Sequence, residues 1–467
     1  MRIFSHLPLL LMGGAALLAA RQQPRAVIDP IRVLEARYDV ARPWWDPARG
    51  NPLPPSKDFE DPSGQLRLLN KSGEIQTKDH PFFTPLGSNG RSCVTCHQPT
   101  SAMSLSLDLI RQRWVDTDGK DPLFAAIDGS NCADLRQDKE ESHSLLLERG
   151  LFRIALPWPP VSDSGELFKP EFRIEVLRDP TGCNKSPGSI SVYRRPRVAA
   201  NLQYVALPGE DTLMADGRER TLQSQAASAT LIHEQASTVP TRAQLQQIED
   251  FERQLFMAQE WDVLGGLLAE PGGPPLLGAD NLAIGRAGAS PVPGPDLAAL
   301  FDPWRNAPRA NLAVRQRAFR ESVLRGVDLF ATRDFRLPDG KNGTCVTCHR
   351  PGIKHSMDVG TTNLPTAKES PELPLFRITC HASARPHPQL GRTFLTQDPG
   401  RALITGKCAD VGSILMQQFR GLAARAPYFA NGSARNLTEL VQFFDRHFKI
   451  GLTDKEKEDL VNFLNVL

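Results

Sequence analysis

The sequence has little net charge, few tyrosines and no long apolar run after its first twenty residues. Its 55 basic and 53 acidic residues leave a net charge of +2, which gives no reason to expect nucleic acid as a partner. Nothing beyond residue 20 is apolar enough to cross a bilayer, so we expect no membrane span in the mature chain. The 4 tyrosines accompany 22 phenylalanines, a balance that suits a buried, apolar interior.

The first twenty residues have the pattern of a secretory signal. Arg2 gives a positive start, an apolar run follows from Leu7 to Leu18, and Ala19 and Ala20 offer a small-residue cleavage point. The run is short for a membrane anchor, which needs about 20 apolar residues. We therefore expect cleavage of residues 1–20 and a periplasmic location.

Four of the eight cysteines belong to two Cys-x-x-Cys-His motifs, at residues 93–97 and 345–349. Two thiols on one helical turn can reach the two vinyl groups of a haem, and the next histidine projects toward the iron. Zinc binding and thiol redox chemistry are the alternatives for Cys-x-x-Cys alone, and the added histidine, the duplication and the export signal disfavour both. The motifs predict two covalently bound haem c groups, held by Cys93, Cys96, Cys345 and Cys348, with His97 and His349 as proximal iron ligands.

The other four cysteines follow the motifs in pairs, and an oxidising compartment closes such pairs as disulfides. Four cysteines allow three connectivities. Proximity in the sequence favours Cys132–Cys183 and Cys380–Cys408.

Composition divides the chain into five parts. They are the signal peptide (1–20), an extended, proline-rich arm with little regular structure (21–80), a first haem domain (81–270), a linker rich in proline and glycine (271–310) and a second haem domain (311–467). The residues around the first motif, Asn89 to Pro99, are echoed by Asn342 to Pro351, which indicates two similar modules.

Apolar spacing predicts helices in both haem domains. Helical patterning covers Thr241 to Leu268 and Arg315 to Phe330. Near the C-terminus, an apolar stripe from Leu437 to Phe448 predicts one helix. Thr453 and Glu456 form a capping box that begins the last one.

Three blocks of the sequence resemble the bacterial di-haem cytochrome c peroxidase and MauG-like superfamily. The first is the pair of Cys-x-x-Cys-His motifs. The second is Asp216-Gly217-Arg218 with the later Gln225-Ala226, and the third is the segment from Arg420 to Ser433, which contains Ala426-Pro427-Tyr428-Phe429. The resemblance implies a mainly α fold of two cytochrome c-like helical domains, each with one covalent haem, joined to long loops and the N-terminal arm. Residues 120–205 are not explained by it.

The resemblance also implies an activity. In this superfamily the N-terminal haem reacts with hydrogen peroxide or another small oxidant, and the C-terminal haem relays electrons from a small cytochrome or other donor. A peroxidase is therefore the first hypothesis. The MauG branch, which oxidises a larger substrate, is the second, together with oxygenase-like chemistry. An electron carrier without catalysis is the third.

The resemblance assigns candidate catalytic residues to the first haem. Gln225 falls on the distal glutamine of the superfamily, whose distal glutamate lies about ten residues further on. Glu234 is one position away from that place, and His233 is the other candidate. An acid–base group there must move a proton between the two peroxide oxygens. The alternative is that His233 and Glu234 are ordinary surface residues.

Several positions depart from the superfamily. Ala215 replaces a tryptophan that lies between the haems, and Ala430 replaces a histidine. Phe444 stands where a methionine or tyrosine binds the second iron, and Met416 is the candidate substitute as sixth ligand, with His447 as another. The superfamily often binds calcium beside the third block, where Arg425 replaces a threonine, so calcium stays open.

Overall fold

The chain is described by a computed structural model for residues 44–46, 50–162, 165–206, 213–285, 297–307, 312–337, 340–349 and 370–467, and for the backbone of 355–357 and 362–364. The expected signal peptide lies outside the described residues, as does most of the arm before residue 50. Among the described residues, no helix is long and apolar enough to cross a membrane.

Twelve α-helices occur in the described part of the chain. They are α1 (Cys93–Cys96), α2 (Leu107–Thr117), α3 (Ser144–Arg149), α4 (Leu222–His233), α5 (Arg242–Gln254), α6 (Ala279–Ala283), α7 (Asp302–Asn306), α8 (Val314–Thr332), α9 (Cys345–Cys348), α10 (Ala402–Thr405), α11 (Leu437–Phe448) and α12 (Asp454–Asn465).

The same residues form fourteen strands in five sheets. The strands are β1 (Ser56–Asp61), β2 (Gly64–Asn70), β3 (Phe152–Pro157), β4 (Phe172–Arg178), β5 (Ser189–Arg194), β6 (Leu255–Asp262), β7 (Gly266–Leu267), β8 (Phe335–Arg336), β9 (Asn342–Gly343), β10 (His355–Met357), β11 (Thr362–Leu364), β12 (Leu375–Cys380), β13 (Thr393–Thr396) and β14 (Ser413–Leu415).

The expectation of a mainly α fold made of two cytochrome c-like helical domains is therefore wrong. Helices carry both Cys-x-x-Cys motifs and the C-terminal core, but sheets account for much of the rest. The physical reason for the strands lies in the local amino-acid composition. β5 and β12 have the sequences SISVYR and LFRITC, which are rich in β-branched and aromatic residues. The predicted division into domains stays a prediction.

A four-stranded antiparallel sheet in the order β1-β2-β6-β7 joins the N-terminal region to the strand that follows α5. Leu66 and Leu68 of β2 have no exposed surface, because they pack into the core that also contains Phe82 and Phe251. The arm was expected to have little regular structure, and that expectation is wrong for the hairpin of β1 and β2. The helix expected from Thr241 to Leu268 begins as predicted but ends at Gln254, where β6 takes over.

A second four-stranded sheet, in the order β11-β13-β12-β4, combines strands from both halves of the sequence. β4 lies at its edge and pairs with β12, some 200 residues further along the chain. Both expected disulfides are present nearby: Cys132–Cys183 has its Cα atoms 5.4 Å apart and Cys380–Cys408 has them 5.8 Å apart. The predicted pairing of these four cysteines is confirmed.

The helices expected near the C-terminus are confirmed. Thr453 caps α12, and its side chain and backbone exchange the hydrogen bonds of a capping box with Glu456. α8 and α12 approach so closely that a Cβ atom on Gly326 would lie 2.1 Å from the carbonyl oxygen of Asp459. Only glycine fits this contact between the two helices.

Candidate functional site

The two motifs fold into the same local structure. In each, the sequence Cys-Val-Thr-Cys forms one helical turn. The threonine hydroxyl oxygen accepts a hydrogen bond from the backbone N–H of the residue just before this turn. The distance is 3.1 Å for Ser92 N and Thr95 Oγ1, and 2.9 Å for Thr344 N and Thr347 Oγ1. The histidine follows immediately, and its N–H donates to the carbonyl of the first cysteine. The motif cysteines lie outside the two disulfides.

The first motif lines a cleft with about 1410 Å³ of empty space, part of it open to solvent. His97 lies at its wall, with Nδ1 3.0 Å from the carbonyl oxygen of Met103. Because an imidazole that donates from Nδ1 keeps a lone pair on Nε2, Nε2 is the nitrogen left for a metal. Burial lowers the pKa of His97, which favours the neutral ring that metal binding needs.

Helix α4 forms another wall of the first cleft. Its lining residues follow helical spacing on one face: Leu222, Gln225, Ala226, Ala229 and His233. The expected candidates Gln225 and His233 therefore lie in the same cleft as His97. Met214 lies there too, with its Sδ 4.0 Å from Gln225 Nε2.

His233 is held by a buried acid. Its Nδ1 lies 2.5 Å from Asp128 Oδ2, and Asp128 also pairs with Arg91. Arg91 in turn donates to the carbonyl oxygens of Pro122 and Leu123, at 2.6 Å each. Burial alone would raise the pKa of Asp128, but Arg91 and His233 outweigh it and lower that pKa. The carboxylate thus stays ionised and fixes the ring of His233 with Nε2 as its remaining nitrogen.

Two further acids line the first cleft beside Cys93. Glu234 accepts a hydrogen bond from the N–H of Leu86 at 3.0 Å and lies 3.7 Å from Cys93 Sγ, and burial raises its pKa to about 7. Glu252 of α5 is 4% exposed, and one of its oxygens has no hydrogen-bond partner. Burial, with a smaller contribution from Glu249, raises the pKa of Glu252 to about 8.

Sequence reasoning missed Arg91, Asp128, Met214 and Glu252 at this site. Asp128 lies in the stretch that no motif covers, and it meets His233 across 105 positions of the chain. Two signals were available. Arg91 lies two residues before Cys93 of the first motif, and Met214 lies two residues before the block that begins at Asp216.

The second motif lines a larger and strongly apolar cavity with about 1640 Å³ of empty space. Burial lowers the pKa of His349 to about 4, and its Nδ1 has no hydrogen-bond partner. The ring centroid of Phe444 lies 6.2 Å from that of His349, and Met416 also lines the cavity. His447 instead stacks on Phe443 at 5.4 Å and is not among the residues that line this space.

The two cavities share a wall. Arg195, Pro196 and Gln417 line both of them. Ala215 lines the first cavity, and its carbonyl oxygen accepts a 2.8 Å hydrogen bond from Leu415, which lines the second. No indole stands at this point, as the sequence indicated.

No group of three or more histidine, cysteine, aspartate or glutamate side chains suited to a metal ion occurs in the described part of the chain. The expectation of calcium therefore gains no support.

No established family profile matches the chain. Parts of it are similar to curated proteins named cytochrome-c peroxidase. The match to IdrP1 of Denitromonas iodatirespirans is 27% identical over 150 residues, 29% of this chain and 40% of that protein. The match to IdrP1 of Pseudomonas sp. (strain SCT) is 28% identical over 157 residues, 30% of this chain and 40% of that protein. IdrP2 of Denitromonas iodatirespirans is 30% identical over 139 residues, 27% and 36% of the two chains.

The chain thus matches only about 40% of the length of these relatives. A solved structure, titled as a MauG-like protein associated with microbial copper homeostasis, aligns over 83% of this chain and 86% of its own. Its identity is 14% and its TM-score 0.35, too low to define a shared fold. The motif blocks and the peroxidase relatives agree, and they support the resemblance of this chain to the di-haem cytochrome c peroxidase and MauG-like superfamily.

Proposed function

We propose that this protein is an exported di-haem c-type oxidoreductase that reduces hydrogen peroxide. One haem would be attached at Cys93 and Cys96 and the other at Cys345 and Cys348. The surroundings fit such groups, since each motif opens on a large cavity and each histidine has a ring nitrogen available. A covalent haem supplies a redox-active iron whose reactivity depends on its sixth position.

The observation that carries the proposal is the pair His233 and Asp128 in the cleft of His97. Reduction of hydrogen peroxide to two waters consumes two electrons and two protons. A distal base takes a proton from the oxygen that binds and returns it to the oxygen that leaves. Nε2 of His233 can do both, because Asp128 fixes the ring through Nδ1 and stabilises its protonated form.

Gln225 has a supporting role in this proposal. It lies on the same face of α4 as His233, two turns earlier, and its amide can donate to or accept from a peroxide oxygen. Glu234 lies beside the attachment cysteine Cys93, and we assign the proton transfer to His233 and not to Glu234 for that reason.

The second haem would pass electrons from a small cytochrome or other donor to the first. The shared wall of the two cavities supports this, because the two motifs then serve neighbouring spaces. The two disulfides and the sequence of residues 1–20 support a periplasmic location. The division at residues 81–270 and 311–467 remains our proposal for the two haem modules.

The test is peroxide consumption by the purified protein with a reduced small cytochrome as donor. We expect turnover in the wild type and a loss of about 10²–10⁴-fold in the rate with peroxide for His233→Gln. His447→Gln is the matched control, because that ring packs outside both cavities, and it should keep wild-type activity. Equal activity in the two variants would refute the role of His233.

MauG-like oxidation of a larger substrate is the second candidate. The observation in its favour is Phe444, which has no lone pair to give, lines the cavity of His349 and stands at the sequence position where the superfamily has its second iron ligand. Peroxide consumption that depends on an added oxidisable substrate, and not on a reduced cytochrome, would favour it. A protein whose two irons both fail to bind cyanide or carbon monoxide would be an electron carrier.

A further inference from the structure

We propose that Arg195, Arg197 and Arg425, hereafter the arginine cluster, bind the carboxylates of the two cofactors at the wall between the cavities. This inference rests on the proposed function, because it takes haem as the ligand. It concerns the wall between the two cavities, and it gives three arginines a role that the Cys-x-x-Cys-His motifs do not assign.

The cluster lies where the two cavities meet. Arg195 lines both cavities, Arg197 lines the first and Arg425 lines the second. Arg197 donates from Nη1 to the carbonyl oxygen of Leu415 at 2.9 Å and from Nη2 to that of Met416 at 3.0 Å, so it ties the first cavity to the lining of the second.

Backbone carbonyls surround the other two members. Arg195 donates from Nη2 to the carbonyl oxygens of Leu105 and, at 2.9 Å, Arg425. Arg425 donates from Nη2 to that of Gln418 at 2.5 Å. Carbonyl dipoles orient a guanidinium but do not neutralise it.

The cluster carries more positive charge than its surroundings balance. Arg195 is 7% exposed, Arg425 is 9% exposed and Arg197 is partly exposed, and none of the three forms an ion pair with a carboxylate among the described residues. Burial, and the charge of Arg425, lower the pKa of Arg195 to about 9 and that of Arg197 to about 10. Asp216 offsets only part of this effect at Arg197.

Arg194, the neighbour of Arg195, is a buried arginine whose charge is balanced by carboxylates of this protein. It is 3% exposed and binds Asp216 at 2.6 Å and Asp398 at 2.6 Å. These two acids outweigh burial and raise its pKa. A buried guanidinium is expensive without such a partner. The arginine cluster therefore implies an anion that this chain does not supply.

Haem carboxylates are the anions that match this place. A haem is an apolar plate with carboxylates at one edge, and each cavity is largely apolar and is lined by the two cysteines of its motif and by members of the arginine cluster. Arginine pairs with carboxylates through two parallel hydrogen bonds. Arg195 Nη1 packs so closely against Gly150 that a Cβ atom added to this glycine would lie 2.0 Å from it. Arg195 therefore acts on these anions through its charge.

The arrangement predicts which iron each arginine influences. A positive charge near an iron favours its reduced form, so its removal lowers the reduction potential. Arg197→Gln should lower mainly the potential of the first haem and Arg425→Gln mainly that of the second. Arg195→Gln should lower both. Arg377→Gln is the matched control, since Arg377 is exposed and pairs with Glu175 far from the cavities, and it should change neither.

The experiment is potentiometric titration of the holoprotein variants, after haem staining confirms two haems per chain. Unchanged potentials in Arg197→Gln and Arg425→Gln would overturn the inference, as would a shift at the opposite haem. Arg197→Lys and Arg425→Lys keep the charge, fold more readily and should give smaller shifts in the same direction, since lysine lacks the planar fork. Lysine variants with wild-type potentials would equally count against the inference if the glutamine variants do not fold.

A free anion is the other source of the same chemistry. If acetate or phosphate filled the site, thorough desalting of the wild type would remove negative charge and raise its potentials, opposite to the effect of Arg195→Gln, and adding the anion back would lower them again. That result would overturn the assignment to the cofactors. The outcomes are separate from the proposed function, because an attached haem with shifted potentials and no peroxide turnover would leave this inference standing.

Discussion

Asp128→Ala removes the carboxylate that holds His233 and Arg91 together. Asp128 is 3% exposed, and its two partners use both of its oxygens. Breaking a buried pair by removing one member typically costs about 3–5 kcal/mol, because the remaining charge is left without compensation. We expect the free energy of unfolding to fall by about that amount at pH 7.

The sign of the pH dependence follows from the lowered pKa of Asp128. A carboxyl with a lowered pKa in the folded state contributes its stability above its unfolded pKa, about 3.9, and loses it as the pH falls through the folded value. The difference between wild type and Asp128→Ala should therefore be complete at pH 7 and shrink only below about pH 4.

Urea unfolding followed by tryptophan fluorescence measures the stability, and peroxide turnover measures the function. Asp128→Asn keeps an oxygen that can accept from Nδ1, so it should recover part of the activity that Asp128→Ala loses, a rescue that a purely structural role does not predict. Asp118→Ala is the control, because Asp118 is exposed and forms its ion pair with the exposed Lys120. A loss below about 1 kcal/mol in Asp128→Ala, the range of surface ion pairs, would refute the reasoning.

Four further predictions concern other parts of the molecule. Cys348→Ser should lose the second haem and keep the first on haem-stained denaturing gels, and acid–acetone extraction of both haems from wild type would contradict covalent attachment. Cys183→Ser should lower the free energy of unfolding by about 3–4 kcal/mol, since it opens a loop of 51 residues, and peptide mapping that finds a free thiol in the wild type would count against this. Phe444→Met should convert the second iron to a low-spin state with a higher potential, whereas a wild-type iron–methionine absorption band that Met416→Leu abolishes would show the ligand is already present. Glu252→Gln should be more stable than wild type by a margin that grows from about pH 5 to pH 8, because a carboxyl whose pKa is raised to about 8 loses its contribution as the pH rises through that value; a margin independent of pH would contradict it.

Short sequence patterns correctly predicted the helices whose formation depends on neighbouring residues. The capping box at Thr453 and the stripe from Leu437 give α12 and α11 because caps and periodicity act within a few residues. The helical prediction fails after Gln254, where Leu255–Asp262 is buried between β2 and β7. A short apolar run such as Leu255 to Ala258 fits a buried strand or a buried helix equally well, and the partner strand that decides lies almost 190 residues earlier.

The residues of the site can also be separated into those that the local sequence identifies and those that it does not. Spacing identified Cys93, Cys96 and His97, which one helical turn positions by itself. It could not identify Asp128, because nothing near that residue marks it as the partner of His233. The mainly α expectation came from the resemblance, and strands β3, β4 and β5 lie in residues 120–205, which the resemblance does not explain.

The pairing of β4 with β12 has a consequence for how the chain is made. β4 lies at the sheet edge and its neighbour in the sheet is β12, so the backbone groups that face β12 have no strand partner until about 200 more residues have been synthesised. An exposed strand edge is a template for association with other chains. Pairings so distant in sequence also form slowly. We expect chains that stop before Leu375 to aggregate. The second half of the chain therefore protects the first half from association with other chains.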